Sequence, residues 1–376
     1  MMQSFGAAPK GLRLERIQAS PRYGDGVFRN TFDVVPGLKK GTAAPTISEF
    51  LCGGQRRTPP GPLPSIDPLP LWSRKPQTRL RATWLGHSTV LLELDGFRVL
   101  TDPVWGDRAS PVGFAGPKRF QPVPVSVAEL PPLDAVVISH DHYDHLDHST
   151  LRELARLDVP FFTSLGVGAH LEAWGIPEER ITELDWWESV ELAKGGLSIT
   201  AAPSQHFSGR ALGGRNTTLW SSLVLKTEHA AVFFSGDTGL TPEYSEIRER
   251  LGPFDLVMLE VGAFHPAWGD IHLGPENALK ACTLLGGARF LPVHWGTFNL
   301  AIHAWDEPAE TLIALAPEYG ARLVMPRLGE PVEPSLTERV EPWWRPLARA
   351  TELAPAADEE PASLPPAEQG VPFPMD

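Results

Sequence analysis

Residues 136–150 read VVISHDHYDHLDHST, a stretch in which four histidines and three aspartates follow an apolar run. The run predicts a short buried strand, and the residues after it predict a loop that leaves the strand end. Such a loop directs alternate side chains into one pocket, so we expect His140 and His142 to share a metal ion. Asp144 and His145 are candidates for holding a second ion. Imidazole nitrogen and carboxylate oxygen suit Zn²⁺, and also Fe or Mn.

The same stretch has a plainer interpretation. A polar loop with a helix-capping aspartate and surface histidines has a similar composition. The density and spacing of metal-ligating residue types favour the metal site. Four residues cannot complete two metal sites, so further ligands must come from other parts of the chain.

Three later residues each follow a predicted strand. His206 comes after SITAAPSQ, Asp237 after AVFFSG and His294 after RFLPV. Strand ends at one edge of a sheet converge, which is where sites form in α/β proteins. Each residue alone also fits a capping aspartate or a hydrogen-bonded core histidine, but their shared position favours a common site.

The remaining pattern predicts a layered α/β protein with mixed sheets. Asp95 and Gly96 join two apolar runs and predict a β-hairpin, and a second hairpin is expected around residues 227–230. GPENALKACTLLG, residues 274–286, predicts a helix between two short apolar runs. Strands therefore pair in hairpins in some regions and alternate with helices in others.

Four motifs, SHDHYDHLD, PSQH, FSGDTG and PVHWGTF, resemble in sequence and order those of the metallo-β-lactamase superfamily. WLGHSTVLLELDGFRVLTDPVW and IHLGPENA resemble the branch that contains N-acyl-phosphatidylethanolamine-hydrolysing phospholipase D and its bacterial relatives. The resemblance covers about residues 19–345. It is specific for the fold and the metal site, and much less specific for the substrate.

The resemblance implies a four-layer αββα sandwich with two zinc ions at one edge of its sheets. The implied ligands are His140, His142 and His206 for one ion, Asp144, His145 and His294 for the other, and Asp237 as a bridge. Superfamily members that perform diiron redox chemistry place Glu at the position of His142, so this histidine favours hydrolysis.

Two cations held close together lower the pKa of a bridging water toward about 7 and polarise the scissile group. A phosphodiester is a substrate type that suits such a pair, and Asp144 or Asp237 would orient the water. His272 is the candidate for a substrate-side acid or phosphate donor, because the resembling phospholipases have a histidine there. The alternative is that His272 only precedes the helix near Pro275. Tyr143 either reaches the substrate or packs.

Other polar residues have supporting roles in this interpretation. Asp102 ends a predicted strand and is expected to accept a hydrogen bond from a ligand histidine. Asp147 would do the same or cap the following helix, and His87 is expected to be a structural or supporting residue rather than a ligand. Three arginines are candidate anion-binding cations, although each such residue is more often simply a solvated arginine: Arg119, Arg210 and Arg215.

The chain has 376 residues and a formal net charge of −13, which argues against non-specific nucleic-acid binding. Cys52 and Cys282 form no CxxC motif, so both are expected to be reduced. The sequence shows neither a secretory signal nor an apolar run long enough to span a membrane. A cytoplasmic protein is expected, with peripheral membrane contact left open; a homodimer is compatible with the sequence.

Three regions are predicted along the chain. Residues 1–78 are expected to form an extended arm that wraps the core, residues 79–345 the catalytic domain, and residues 346–376 a disordered acidic tail rich in Pro and Ala. The functional hypotheses are a phosphodiesterase, acting on N-acyl phosphatidylethanolamine or a related phospholipid, or a hydrolase of a lactone, thioester or amide. A protein of another class, a nucleic-acid processor or a non-catalytic metal-binding protein, is the further alternative.

Overall fold

The computed structural model describes residues 2–32, 34, 56–210, 214–265, 267–268 and 270–352. Cys52 lies outside these residues. Helices are numbered along the described chain as α1 Gly11–Ala19, α2 Leu69–Trp72, α3 His148–Leu154, α4 Gly168–Ala173, α5 Glu243–Leu251, α6 Gly274–Leu284, α7 Glu307–Tyr319 and α8 Arg345–Glu352. Four short 3-10 turns cover Met2–Phe5, Val127–Glu129, Glu178–Arg180 and Pro334–Leu336.

The strands form a two-stranded ribbon, β1–β2, and two seven-stranded sheets. The strands are β1 Tyr23–Gly24, β2 Val27–Phe28, β3 Leu80–Gly86, β4 Thr89–Leu94, β5 Phe97–Thr101, β6 Ala135–Ile138, β7 Phe161–Ser164, β8 Ile181–Leu184, β9 Ser189–Glu191, β10 Ser198–Ala202, β11 Ser222–Lys226, β12 Ala231–Phe234, β13 Leu256–Glu260, β14 Arg289–Val293, β15 Arg322–Leu323 and β16 Pro331–Val332.

Each large sheet combines antiparallel and parallel pairing. The first sheet has the order β16-β3-β4-β5-β6-β7-β8, and the second has the order β15-β14-β13-β12-β11-β10-β9. In the first sheet, pairing is antiparallel up to β5 and parallel from β5 to β8. In the second sheet, pairing is antiparallel from β9 to β12 and parallel from β12 to β15.

Alternation along the strands explains the layers. In β6, Val137 packs into the core between the sheets, while Val136 and Ile138 pack toward α3 and α4 on the outer face. Helices α5, α6 and α7 cover the outer face of the second sheet through residues such as Ile247 and Leu279. The predicted four-layer αββα architecture is therefore confirmed.

The predicted hairpins are present, with one further turn. Asp95 and Gly96 join β4 to β5 with φ of +49° and +89°, the left-handed values that a tight hairpin turn requires. Residues 227–230 join β11 to β12. The apolar run before Asp95, predicted as a single run, is divided into β3 and β4 by a turn at Gly86–His87, where both residues have positive φ.

The predictions for the two ends of the chain need correction. The described part of 1–78 is not extended throughout, because α1 buries Ile17 in a cluster with Leu165 and Trp220. Residues 346–352, predicted as disordered tail, continue helix α8, whose first residue, Arg345, pairs with Glu310. The rest of the predicted tail lies outside the described residues.

Candidate metal centre

Four strands of the second sheet end at the same edge and deliver polar side chains there. β12, β13 and β14 are parallel, and β10 shares their direction because two antiparallel pairings separate it from β12. The residues at or just beyond these ends are His206 after β10, Asp237 after β12, Glu260 at the end of β13 and His294 after β14.

The first sheet supplies the other half of the site. The loop 140–145 follows β6, and Asp102 follows the neighbouring parallel strand β5. His87 lies in the turn between β3 and β4. All of these side chains except that of Tyr143 are buried. The structure thus brings together all seven residues that the sequence predicts as ligands.

The first cluster consists of His140, His142 and His206. His142 Nδ1 lies 3.0 Å from His140 Nε2 and 3.3 Å from His206 Nε2. Ligands at about 2.0–2.1 Å from a tetrahedral zinc ion are about 3.3 Å apart. The three ring nitrogens therefore have the spacing of a shared metal site.

The second cluster consists of Asp144, His145 and His294. Asp144 Oδ2 lies 3.1 Å from His294 Nε2 and 3.5 Å from His145 Nε2. One carboxylate and two imidazoles give this cluster an anionic donor, whereas the first cluster has only imidazoles.

Asp237 lies between the clusters. Its Oδ2 is 3.1 Å from the Nε2 atoms of both His145 and His294. The same oxygen is 4.0 Å from His140 Nε2 and 3.9 Å from His206 Nε2. One carboxylate therefore faces both sets of ligands.

The lack of hydrogen bonds at several candidate ligand atoms also fits a metal site. Asp144 Oδ1, His145 Nε2 and both carboxylate oxygens of Asp237 are buried and make no hydrogen bond within the described part of the chain. An unsatisfied buried polar group costs about 1–3 kcal/mol, so clustering several of them needs compensation. Burial raises the pKa of Asp237, but the charges of His145 and His294 outweigh burial and hold this pKa well below its usual range. A carboxylate that stays ionised while buried is suited to a cation.

Neighbouring groups fix the orientation of two ligand rings. Asp102 Oδ2 lies 2.7 Å from His145 Nδ1, and the same carboxylate accepts hydrogen bonds from the backbone N–H and hydroxyl of Ser139. His145 therefore donates through Nδ1 and directs the Nε2 lone pair to the site. Ser139 Oγ gives its proton to Asp102, so it accepts from His140 Nδ1 at 2.9 Å. The predicted supporting role of Asp102 is confirmed.

His206 is held by backbone rather than by a carboxylate. Its Nδ1 donates to the carbonyl oxygen of Ile271 at 2.9 Å, which leaves Nε2 toward the site. Backbone strain also concentrates here: His87, Asp102 and His294 have φ of +53°, +31° and +63°. Residues with a Cβ atom seldom adopt such angles, and backbone strain of this kind often occurs at functional sites.

His87 is closer to the centre than the sequence indicated. Its Nε2 lies 2.8 Å from Asp144 Oδ2, and its ring is near that of His294, with 4.0 Å between centroids. Burial and the charge of His294 lower the pKa of His87 to about 3, so the ring is neutral. A neutral ring that donates to Asp144 agrees with the predicted supporting role. The His87 ring also has a nitrogen close enough to Asp144, His145 and His294 to act as a further ligand of the second cluster.

Glu260 is a residue that the sequence reasoning missed. Its Oε1 lies 3.3 Å from His272 Nδ1, and the His272 ring is 5.1 Å from the ring of His206 and 5.5 Å from that of His294. Burial raises the pKa of Glu260, while His272 opposes the increase. The signal available in the sequence was position, since Glu260 ends a buried strand as the ligands' strands do.

The structure favours the structural alternatives for Asp147 and Tyr143. Asp147 caps α3 by accepting from the backbone N–H of Thr150 at 3.0 Å. Tyr143 donates its hydroxyl proton to the carbonyl of Arg210 and stacks its ring against that guanidinium, 4.1 Å from the ring centroid. Packing therefore accounts for Tyr143.

The three candidate arginines separate into two groups. Arg119 is buried and donates to the carbonyls of Gly106 and Val104, and Arg210 is buried with carbonyl partners. Neither guanidinium is directed to the centre as an anion-binding group. Arg215 is exposed and lies over the ring of Phe207, which packs on His142 and His206.

His272, whose ring lies near those of His206 and His294, also lines a cavity of about 300 Å³. Phe264 and Trp268 line it with aromatic surface, and Glu276 and Glu307 add carboxylates. Its size suits a compact polar group rather than a complete acyl chain.

Two sheets that bring the seven predicted histidine and aspartate ligands to one edge are typical of a metal-dependent hydrolase. A family model described as a beta-lactamase superfamily domain matches residues 97–295. The chain belongs to this family, the metallo-β-lactamase superfamily, which confirms the resemblance found in the motifs.

Relatives of known sequence agree with this placement. An uncharacterized protein of Mycobacterium tuberculosis is 45% identical over 347 residues, covering 91% of this chain and 92% of that protein. The N-acyl-phosphatidylethanolamine-hydrolyzing phospholipase D 1 of Caenorhabditis elegans is 41% identical over 234 residues, covering 60% of this chain and 66% of that protein.

The fold is also similar to that of solved structures. An isothiocyanate hydrolase from Delia radicum gut bacteria superposes with a TM-score of 0.55 at 24% identity, covering 67% of this chain and 98% of that one. At this identity the likeness shows the fold alone. Among the described residues, none of the helices is both long and apolar enough to cross a bilayer.

Proposed function

We propose that the protein is a dinuclear zinc phosphodiesterase that cleaves a phospholipid such as N-acyl phosphatidylethanolamine. The observation that carries the proposal is the position of Asp237, whose Oδ2 faces the ring nitrogens of both clusters at 3.1–4.0 Å. The similarity to a phospholipase D that hydrolyses N-acyl phosphatidylethanolamine supports the choice of substrate.

The first cluster would hold one ion and the second cluster the other, with Asp237 between them. When bound, two such ions supply Lewis acidity that activates water and offsets negative charge on the phosphoryl oxygens. The buried carboxylates of Asp144 and Asp237 accept hydrogen bonds from the attacking water and orient it. The first cluster has only imidazole side chains, so it adds no fixed negative charge that would repel a phosphate.

His272 would act on the substrate side. Glu260 lies beside Nδ1 of His272, and His272 lines the cavity. In that position His272 donates a hydrogen bond to a phosphoryl oxygen or a proton to the leaving alkoxide. The cavity accommodates the compact end of the substrate.

The first experiment measures metal and turnover together. We expect purified protein to hold about two zinc equivalents and to hydrolyse both bis-p-nitrophenyl phosphate and N-acyl phosphatidylethanolamine in mixed micelles. His140→Ala is expected to lower turnover more than about 10³-fold, because it removes a metal ligand. The matched control is His229→Ala, an exposed histidine in the turn between β11 and β12. Two bound metals without turnover on either phosphodiester would refute the substrate assignment.

We propose that the protein contacts a lipid surface through a loop near the metal centre. In the loop 111–117, PVGFAGP, Phe114 is 76% exposed. The backbones of the basic residues Arg108 and Lys118 form an antiparallel β-bridge at the base of this loop. The next residue, Arg119, forms a bridge with Phe298 in the segment after His294, so this loop adjoins the ligand-bearing edge. An apolar tip with basic flanks is typical of peripheral contact with an anionic bilayer.

Liposome sedimentation tests the contact. Phe114→Ser is expected to weaken binding to vesicles of phosphatidylcholine and phosphatidylglycerol several-fold. The control is Leu336→Ser, another exposed apolar residue, 54% accessible, near Arg289 at the opposite end of β14. Equal binding by both variants and the unmodified protein would exclude this loop as the contact.

A further inference from the structure

A segment distant in sequence lies against the ligand loop 140–145. Residues 2–8 begin with the 3-10 turn Met2–Phe5. Trp174 Nε1 donates to the carbonyl of Gln3 at 2.7 Å, and Arg210 donates to the carbonyl of Ser4. Directed hydrogen bonds therefore hold the segment in one position.

Arg210 joins this segment to the loop. Its Nε and Nη2 atoms donate to Ser4 O at 3.2 and 2.9 Å, and its Nη1 donates to Asp141 O at 2.6 Å and Leu146 O at 2.8 Å. Those two carbonyls bracket three ligands of the loop. One planar guanidinium thus fixes the spacing between the two ends of the ligand loop.

His170 forms a second connection. The backbone N–H of Ala7 donates to His170 Nδ1 at 2.9 Å, so Nε2 carries the proton and faces Asp141 Oδ2 at 3.4 Å. The carboxylate of Asp141 also accepts from the N–H of Gly209 at 2.8 Å and the hydroxyl of Thr218 at 2.9 Å. The segment is therefore connected to Asp141 twice, through Arg210 to the backbone carbonyl of Asp141 and through His170 to its carboxylate. Asp141 immediately precedes the predicted ligand His142.

Gly6 makes this close approach feasible. Its φ is +80°, and a Cβ atom at this position would lie 2.0 Å from His170 Nδ1. Gly11 has a φ of +55° with no heavy atom within 4 Å of such a Cβ. Alanine is strained by backbone conformation at both positions, but only at Gly6 does it also displace His170.

We infer that residues 2–8 are a positioning segment for the metal-binding loop, which they hold in its ligating conformation through Arg210 and His170. The inference rests on the proposed metal centre. A loop that loses these two connections retains its ligands but not their spacing, so its metal affinity falls. Groups that orient metal ligands commonly contribute 10–100-fold to affinity.

The experiment compares Gly6→Ala with Gly11→Ala in the full chain. Zinc affinity is measured by competition with a chromophoric chelator, and the stability of the metal-free protein by urea denaturation. We expect Gly6→Ala to weaken zinc binding about 10-fold or more and Gly11→Ala to leave it unchanged. Without metal both variants lose stability through backbone strain, and Gly6→Ala loses more because its Cβ also meets His170. A purely structural role would lower stability without altering affinity, so equal zinc affinity in the two variants overturns the inference.

A second pair of variants tests the inference if Gly6→Ala does not fold. Arg210→Lys keeps the charge but cannot bridge three carbonyls, and it is expected to weaken zinc binding. Arg13→Lys is its control, because Arg13 anchors α1 to Glu172 and Glu183 rather than to the loop. Unchanged zinc affinity in Arg210→Lys overturns the inference, whereas absence of zinc binding in the unmodified protein overturns the proposed function instead.

Discussion

The two sheets contribute to the centre in different ways. The first sheet supplies four candidate ligands from one loop, residues 140–145, whereas the second supplies three from the ends of separate strands, β10, β12 and β14. The first set depends on the backbone conformation of one loop, which Asp102, Arg210 and residues 2–8 support. The second set depends on sheet register, which the packed core fixes. The contacts that support the loop can therefore be lost without unfolding the protein, whereas the strand register of the second sheet cannot.

The strongest test of this comparison is Asp237→Ala. This residue belongs to the second sheet yet faces ligands of both clusters, so its loss is expected to affect both metal positions. We expect turnover to fall more than about 10³-fold and bound metal to fall below about one equivalent. Elemental analysis of the purified variant measures the metal.

Asp255→Ala is the matched control, because Asp255 lies near the opposite end of the same strands and accepts from the backbone of Ala231. It is expected to retain both metals. Two full equivalents in Asp237→Ala would show that the clusters are independent and that this carboxylate does not connect them.

A second prediction separates the clusters by pH. Burial lowers the pKa of His145 and His294, but Asp237 and Asp144 outweigh it: the pKa of His294 rises to about 9 and that of His145 well above its usual range. Burial and neighbouring histidines instead hold the pKa of His140 well below its usual range. In metal-stripped protein at pH 7, the rings of His145 and His294 are therefore protonated and the ring of His140 is neutral.

Metal must displace protons from the second cluster, so its affinity there is expected to increase as pH rises from 7 to 9, by about 10-fold per pH unit for each proton released. Affinity at the first cluster is expected to remain flat over this range. Calorimetric titration in buffers of different ionisation enthalpy counts the protons. Two binding steps with the same pH dependence would contradict the distinction between the clusters.

The sequence predicted the loop of the first sheet better than its support. The density of ligands in 140–145 and the strand before it are local features, and Asp102 follows a recognisable strand. The distant ligands were found because each also follows a strand end, and the family motifs fixed their order. Arg210 was misjudged as a candidate anion-binding residue, since carbonyl partners from residues 4, 141 and 146 are not encoded in any local pattern.

Other features arise only from tertiary packing. Glu260 was missed because an acidic residue that ends an apolar strand has no distinctive spacing, and its role depends on the approach of His272. The extended arm was predicted from Pro and Gly content, yet α1 forms because Ile17 finds a buried site beside Trp220. Composition indicates the conformational freedom of a segment, but not the surface of the fold against which the segment packs.

The smallest expected effect concerns turns far from the centre. Gly96 in the β4–β5 hairpin and Gly320 at the end of α7 have φ of +89° and +61°, and a Cβ on either would meet no heavy atom within 4 Å. Alanine at each position is expected to cost about 1 kcal/mol of unfolding free energy through backbone strain alone. Urea midpoints measure this loss, and bound zinc should remain at the level of the unmodified protein in both variants. Loss of zinc from Gly96→Ala alone would mean that the first sheet transmits remote strain to its ligand loop, so that support of the loop extends beyond Asp102, Arg210 and residues 2–8.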